Sequence, residues 1–221
     1  MSLDENIAQL EELIAAIRHA SLTDESTKLG SALALRREER QINDGVSKFD
    51  VVVFGDINDF KHLNDEHGHE AGNLAITEVG ERIQRWIQDL NAKAFRPSGD
   101  EFVILVNHDF VENLVAATLP LANILFSHKD KKLRTAISFG YVRSDGKTTF
   151  SDLLERAEVA CQYAKTHGDG TCIEWSEEIR SNPLVRLSAR CQLCGARSVS
   201  NVPRENSPEL LVCCPCCGKS F

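Results

Sequence analysis

FRPSGDEFVIL, residues 95–105, is the stretch on which the fold turns. Ala94-Phe95-Arg96 and Phe102-Val103-Ile104-Leu105-Val106 read as strands, and the Ser-Gly-Asp between them is turn chemistry. A hairpin accounts for that pattern but not for two carboxylates, Asp100 and Glu101, at its tip. Upstream, FDVVVFGDI (49–57) is a continuous Val-rich apolar run ending in an acid, as expected of a central buried strand that carries Asp56 to the end of a sheet. If the two strands are neighbours, three carboxylates gather there, and such a cluster repels itself unless a cation holds it. Mg²⁺ suits the site, because it takes oxygen ligands, keeps waters and is usually held by one or two carboxylates together with substrate phosphates. Lys61, on the helix that follows Asp56, is placed to meet those phosphates.

Outward from these two runs, LGSALALRREERQI (29–42) predicts a helix, and NDFKHLNDEHGHEAGN (58–73) a short helix broken by Gly68 and Gly72. Leu74, Ile76, Val79, Ile83, Trp86, Ile87 and Leu90 continue as a long amphipathic helix. A helix at about 110–126, a strand at 133–142, a helix at 151–166 and a strand at 171–175 complete the domain. Strands alternating with helices, plus one hairpin, indicate an α/β or α+β sandwich with helices covering a central sheet. Three parts are expected: an N-terminal helix at 1–22, the main domain at 23–176, and a linker with a small appended domain at 177–221. Ile7, Leu10, Ile14 and Ile17 form the apolar stripe of the first helix, which serves equally to pack on its own domain or to pair with a second copy.

Composition narrows the function classes. In 221 residues, 42% hydrophobic and 26% charged, the balance is that of a globular protein rather than a disordered one. A net charge of -8 argues against whole-chain binding to nucleic acid or an anionic membrane, so an anionic ligand must be small and met locally. The N-terminus has no basic and apolar signal pattern, and no run is long enough to span a membrane, which gives a cytoplasmic reading.

DINDFKHLNDEHGHEAGN at 56–73, RPSGDEF at 96–102, ISFGY at 137–141 and AEVACQYAKTHG at 157–168, in that order, resemble the GGDEF domain of diguanylate cyclases. The resemblance implies a five-stranded sheet wrapped by helices, related to nucleotidyl cyclases and polymerase palms. It also implies that two GTP molecules condense into cyclic di-GMP at the face of a homodimer. Carried over by position, Asp56 and Asp100 would ligate two Mg²⁺ (or Mn²⁺) ions with the Ile57 carbonyl assisting, and Glu101 would lie beside the attacking 3′-hydroxyl. Lys61 and Lys165 would contact phosphates and Asn64 the guanine edge. Ser98 and Gly99 would form the turn that lets the backbone approach the nucleotide.

The sequence departs from that family at defined places. Asn73 stands where the family usually has a guanine-reading Asp; an amide both accepts and donates, so adenine, and hence ATP, enters as an alternative substrate. Asp169 replaces a phosphate-binding Arg, Ser98 replaces Gly, the inhibitory RxxD is absent (DLNA, 89–92), and the early DxLTGLxNR segment reads DESTKLGSA (24–32). A degenerate nucleotide-binding or scaffold module is therefore the competing class. Several residues also have ordinary structural uses: Lys165 as a cation near a helix C-terminus, Asn64 and Asn73 as helix caps.

The C-terminus carries a separate signal. RCQLCGARS (190–198) and CCPCCGKSF (213–221) contain two CxxCG knuckles, Cys191/Cys194 and Cys214/Cys217, the spacing of a tetrahedral Cys₄ Zn²⁺ site. Cys213/Cys216 offers a second register, disfavoured because Gly195 after Cys194 is mirrored by Gly218 after Cys217. Zinc would supply much of the folding free energy of so short a segment. Its excess of basic residues (Arg186, Arg190, Arg197, Arg204 and Lys219 against Glu205 and Glu209) suits docking to a protein partner better than nucleic acid, since no aromatics interleave. Cys161 and Cys172 sit alone in apolar contexts.

Overall fold

The structure, a computed structural model, describes residues 21–88, 91–107, 121–181 and residues 7, 9 and 118, and the backbones of 184–190 and 197–203. Its centre is a six-stranded sheet. The run 51–57 is strand β2 (Val51–Ile57), and the hairpin is β3 (Ala92–Ser98) and β4 (Glu101–Val106). A two-residue strand β1 (Gly30–Ser31), β7 (Ile137–Arg143) and β8 (Cys172–Glu174) complete the order β1-β3-β4-β2-β7-β8. β2 is antiparallel to both neighbours, β4 and β7, whereas the outer pairs β1–β3 and β7–β8 are parallel.

Both faces of the sheet are covered, which is why β2 reads as an unbroken apolar run rather than an alternation. Val51, Val53 and Ile57 face helix α3 (His69–Ile87), packing with Ile76, Val79 and Ile83. Val52 and Phe54 face the opposite layer, made by α1 (Ala32–Asn43) through Leu35 and α4 (Phe150–Thr166) through Phe150, Leu153, Ala157 and Cys161. Each fully buried Val or Ile contributes about 1.5–3 kcal/mol, so β2 anchors two cores at once. Gly140 sets the close approach of α4: a Cβ there would lie 2.2 Å from the Ala157 carbonyl oxygen and 2.1 Å from the Cys161 amide nitrogen. That approach brings the C-terminal turn of α4 to the end of β2.

The structure corrects several expectations. The helix expected at 110–126 gives way to strand β5 (Ile124–His128), paired in a separate hairpin with β6 (Lys131–Thr135); the residues before it fall largely outside the described residues. The strand expected at 133–142 is two strands, β6 and β7, in different sheets on either side of Ala136. Gly68, at φ 85, separates α2 (Phe60–His67) from α3, but Gly72 breaks nothing and lies buried inside α3. The helix expected from 29 begins at Ala32, capped by Ser31, because Gly30 and Ser31 pair with Phe95 and Arg96. The expected linker contains a short helix, α5 (Glu177–Ser181), with Ile179 buried. The helix expected at 1–22 lies largely outside the described residues.

Beyond the domain, β9 (Leu184–Arg190) and β10 (Arg197–Pro203) form an antiparallel hairpin. Cys191, Cys194, Cys214 and Cys217, and the alternative Cys213 and Cys216, lie outside the described residues. No helix among the described residues is long and apolar enough to cross a membrane.

Candidate nucleotide site

The antiparallel pairing of β2 with β4 sets Asp56 opposite Glu101, and the Ile57 amide donates to the Asp100 carbonyl at 3.1 Å. The end of the buried strand and the tip of the hairpin are therefore one place. Gly99 takes the left-handed φ of 44° that the turn needs; Ser98 does not share it, and its hydroxyl donates to Glu101 Oε2 at 2.7 Å. Asp56 is 13% exposed. Burial pushes its carboxyl up to about 6; the Lys165 ammonium opposes this, while Asp100 and Glu101 add to it.

Lys165, in the last turn of α4, lies 2.5 Å from Asp56 Oδ1 and donates to the Ile57 carbonyl at 3.4 Å. Asp56 Oδ1 is buried and, the ammonium contact apart, has no hydrogen bond of ordinary geometry among the described residues. The donor set fits a divalent cation of the Mg²⁺ kind: a buried carboxylate oxygen, an adjacent carbonyl and two further carboxylates, Asp100 in the turn and Glu101 on the paired strand. No group of three or more His, Cys, Asp or Glu side chains is arranged to hold a metal among the described residues, so much of the coordination would fall to a ligand and water.

Beside this edge, β2 runs into α2 through Asn58 and Asp59. Asp59 takes φ 52, an uncommon conformation for a residue with a side chain, at the N-cap of α2. Asn58 is 7% exposed and held on both sides: Ser138 Oγ donates to its Oδ1 at 2.8 Å and its Nδ2 donates to Asp169 Oδ1 at 3.0 Å. Asp169 is thus turned onto the strand end. Asn58, Asp59, His62, Arg134 and Asp169 line a neighbouring cavity of about 250 Å³.

Lys61 is exposed in the first turn of α2. Asn64 lies within α2 and Asn73 within α3, so neither is a helix cap. Asn64 Oδ1 is buried without a hydrogen-bond partner among the described residues, and a Cβ on Gly72 would come within 2.0 Å of it. Asn73 is exposed. The structure therefore brings Asp56, Ile57, Asp100, Glu101, Ser98, Gly99 and Lys165 together, and sets Asn64 against Gly72 where α2 meets α3. Sequence reasoning missed the supports, namely Asn58, Ser138, and Arg96 with Asp24. Cys161 is fully buried, its thiol donating to the Ser138 carbonyl, and burial pushes its pKa far up and that of Cys172 to about 11. Neither behaves as a thiolate ligand.

Residues 21–171 match the family described as diguanylate cyclase, GGDEF domain. The chain is 31% identical over 163 residues to MucR of Pseudomonas aeruginosa, a bifunctional diguanylate cyclase/cyclic di-GMP phosphodiesterase, covering 69% of this chain and 23% of MucR. It is 26% identical to the diguanylate cyclase DgcN of Escherichia coli, covering 71% of this chain and 40% of DgcN. The chain thus spans about a quarter to two-fifths of the length of these relatives. Among solved structures, the coiled coil and GGDEF domain of DgcB from Caulobacter crescentus, in complex with c-di-GMP, shares the fold at TM-score 0.68 and 19% identity, covering 77% of this chain and 94% of that one. SiaD from P. aeruginosa, in complex with its activator SiaC, does so at TM-score 0.59 and 23% identity, covering 77% and 68%. The match over residues 21–171, most of the chain, carries the conclusion that this protein belongs to the GGDEF-domain family of diguanylate cyclases.

Proposed function

We propose that the chain is a diguanylate cyclase that condenses two GTP into cyclic di-GMP and pyrophosphate at the face of a homodimer. The observation that supports this most is the register of β2 on β4, which sets Asp56 against Glu101 and hydrogen-bonds Ile57 to Asp100. Asp56, Asp100 and the Ile57 carbonyl would hold two Mg²⁺ or Mn²⁺ ions, which when bound lower the pKa of the 3′-hydroxyl and neutralise charge on the triphosphate. The protein's own part is positioning and electrostatics. Glu101, steadied by Ser98, lies beside the attacking hydroxyl. The hydroxyl oxygen bonds to the partner nucleotide's α-phosphorus as the bond to the β-phosphate oxygen breaks, its proton leaving to water and pyrophosphate departing; the same exchange at the other nucleotide closes the ring and releases the second pyrophosphate. Lys61 and Lys165 hold the phosphates, and the buried Asn64 Oδ1 accepts from the base. With Asn73 in place of the family's Asp, ATP is the second candidate substrate.

The test is purified protein with Mg²⁺ and GTP, ATP or both, the product identified by mass and pyrophosphate measured. Formation of a cyclic dinucleotide that Asp100→Ala abolishes is expected. No product from any mixture would leave a degenerate nucleotide-binding or scaffold module. The proposal extends to the C-terminus, where Cys191, Cys194, Cys214 and Cys217 would bind one structural Zn²⁺, giving a platform for a protein partner. Elemental analysis of wild type and Cys194→Ser checks that part by the loss of one equivalent of zinc.

A further inference from the structure

The site contains a cation of the chain's own. The Lys165 ammonium lies 2.5 Å from Asp56 Oδ1 and 3.4 Å from the Ile57 carbonyl oxygen, so one positive charge bridges a carboxylate and the next residue's backbone oxygen. These are two of the three oxygen donors to which the proposed function, on which this inference rests, gives a divalent cation. The same ammonium is also the phosphate ligand of that reading. One side chain cannot serve both places at once.

We infer that Lys165 is an exchangeable counter-ion: it fills the metal seat while the site is empty and crosses to the phosphates when metal and nucleoside triphosphate enter together. The geometry suits such a crossing. Lys165 sits in the last turn of α4 on a flexible four-carbon stem, whereas Asp56 and Ile57 are fixed in the central strand between β4 and β7. Asp56 is held in a site that disfavours its charge, and losing the ammonium without a replacement would leave a buried carboxylate uncompensated. A divalent ion arriving alone must displace Lys165 and leave it unpaired at 18% exposure beside a second positive charge. A triphosphate arriving alone must pull Lys165 from Asp56 and bare that carboxylate. Arriving together, each ligand removes the other's penalty. Binding is therefore positively coupled through one residue, and the coupling is reciprocal. Lys165 acts on the metal as a positioning residue, by exclusion rather than by ligation.

Electron paramagnetic resonance of free Mn²⁺, with the protein in excess over the ion, reads metal binding without turnover; the nucleotide probe is α,β-methylene-GTP, whose bridge cannot be cleaved. Wild type is expected to bind Mn²⁺ at least tenfold more tightly with the analogue than without. Lys165→Met and Lys165→Gln should bind Mn²⁺ alone at least tenfold more tightly than wild type does, bind the analogue more weakly, and lose most of the coupling. Lys165→Arg, which keeps the charge, should remain as weak for Mn²⁺ alone as wild type. Equal affinity of wild type, Lys165→Met and Lys165→Gln for Mn²⁺ alone would overturn the inference while sparing the metal reading. So would the absence of coupling in wild type, which needs no variant to fold. Failure of every protein to bind Mn²⁺, with or without the analogue, would overturn both.

Discussion

Arg96 ties the Ser98-Gly99 turn to the start of the domain through Asp24. Its Nη1 lies 3.2 and 3.1 Å from the two Asp24 carboxylate oxygens, while its Nε and Nη2 donate to the Gly99 carbonyl at 2.9 and 2.7 Å. Burial pushes the Asp24 carboxyl up, but hydrogen bonds from Thr27 and the Arg96 guanidinium outweigh it and hold its pKa below the usual value. The segment that looks eroded in sequence, 24–32, thus keeps the acid that braces the turn.

Removing this brace should damage stability and catalysis together. Arg96→Ala is expected to cost roughly 2 kcal/mol, since charge-assisted hydrogen bonds to a half-buried acid are lost. Cyclase kcat should fall at least tenfold as Gly99 loses both donors. Arg96→Lys should recover little of either, because Lys lacks the planar fork whose Nη1 reaches Asp24 while its Nε and Nη2 reach the Gly99 carbonyl from another edge. Urea unfolding and initial rates of pyrophosphate release check these outcomes; a rate unchanged in Arg96→Ala would show that the turn holds its shape unaided.

Asp56 gives the metal-free protein a pH dependence. Its carboxyl is raised from 3.8 to about 6, so between those values the folded state holds a proton that the unfolded chain has released. Stability from this group is therefore full below about pH 4 and is lost as pH rises to about 6. The shift corresponds to roughly 3 kcal/mol. Asp24, whose pKa is depressed, works in the opposite sense at lower pH, so the clean measurement is a difference. Urea unfolding in EDTA from pH 4 to 8 should show wild type losing stability relative to Asp56→Asn up to about pH 6, with a constant gap above it. Parallel curves across the range would mean that Lys165 fully compensates the charge.

Which parts of this could be read from the chain depended on how local their signals are. β2 and the β3–β4 hairpin were legible because a strand covered on both faces is one apolar run, and Gly99 marks the turn. The β5–β6 hairpin was not, although Ile124, Phe126 and His128 are buried and Leu125 and Ser127 exposed, a plain alternation. Its turn is made by Lys129 at φ 53 with Asp130, so the usual Gly or Asn is missing from the left-handed position. The motif could say which residues gather at the end of β2, but not what braces them there. Asp24 and Arg96 are 72 positions apart, Ser138 and Asn58 80, and Asn58 and Asp169 111. Only the sheet order brings them together.

Gly72 is a sensitive position away from the carboxylates. A Cβ there would lie 2.0 Å from Asn64 Oδ1 and 3.1 Å from Phe60 Cζ, so Gly72→Ala must turn Asn64 aside or part α2 from α3. Helix propensity alone would favour Ala by about 1 kcal/mol, which makes the sign informative. The overpacking should win, giving a net loss of about 1–2 kcal/mol and at least tenfold weaker binding of α,β-methylene-GTP in calorimetry. A stabilised variant with unchanged binding would show that the seam has room and that Asn64 is not aimed at the base.

At position 169 charge and hydrogen bonding can be separated. Asp169→Asn keeps an acceptor for Asn58 Nδ2 while removing an anion from the cavity wall beside the strand end. The KM for the triphosphate should drop about three- to tenfold, as relief of roughly 1 kcal/mol of repulsion near a protein surface implies. Asp169→Ala should gain less, since it leaves Asn58 short of a partner. If KM rises in both variants, the carboxylate helps to bind the nucleotide, and its difference from the family is not a defect.

On the proposed function, Asn73 is the position at which base choice can be tested. It is the fifth residue of α3 and exposed, so its exchange for Asp should leave stability within about 0.5 kcal/mol, with the helix dipole slightly favouring the acid near the N-terminus. Any larger effect on turnover must then come from the ligand. A carboxylate accepts from both N1–H and N2–H₂ of guanine and has nothing to offer the adenine N1 acceptor, whereas an amide can accept from one base and donate to the other. Charge-assisted bonds of this kind contribute about 1.5–3 kcal/mol. Asn73→Asp is therefore expected to raise the ratio of kcat/KM for GTP over ATP at least tenfold, mainly through GTP, when the two are made to compete and products are separated by mass. An unchanged ratio would place base selection on Asn64 and the α2–α3 seam, and would remove the reason to consider ATP.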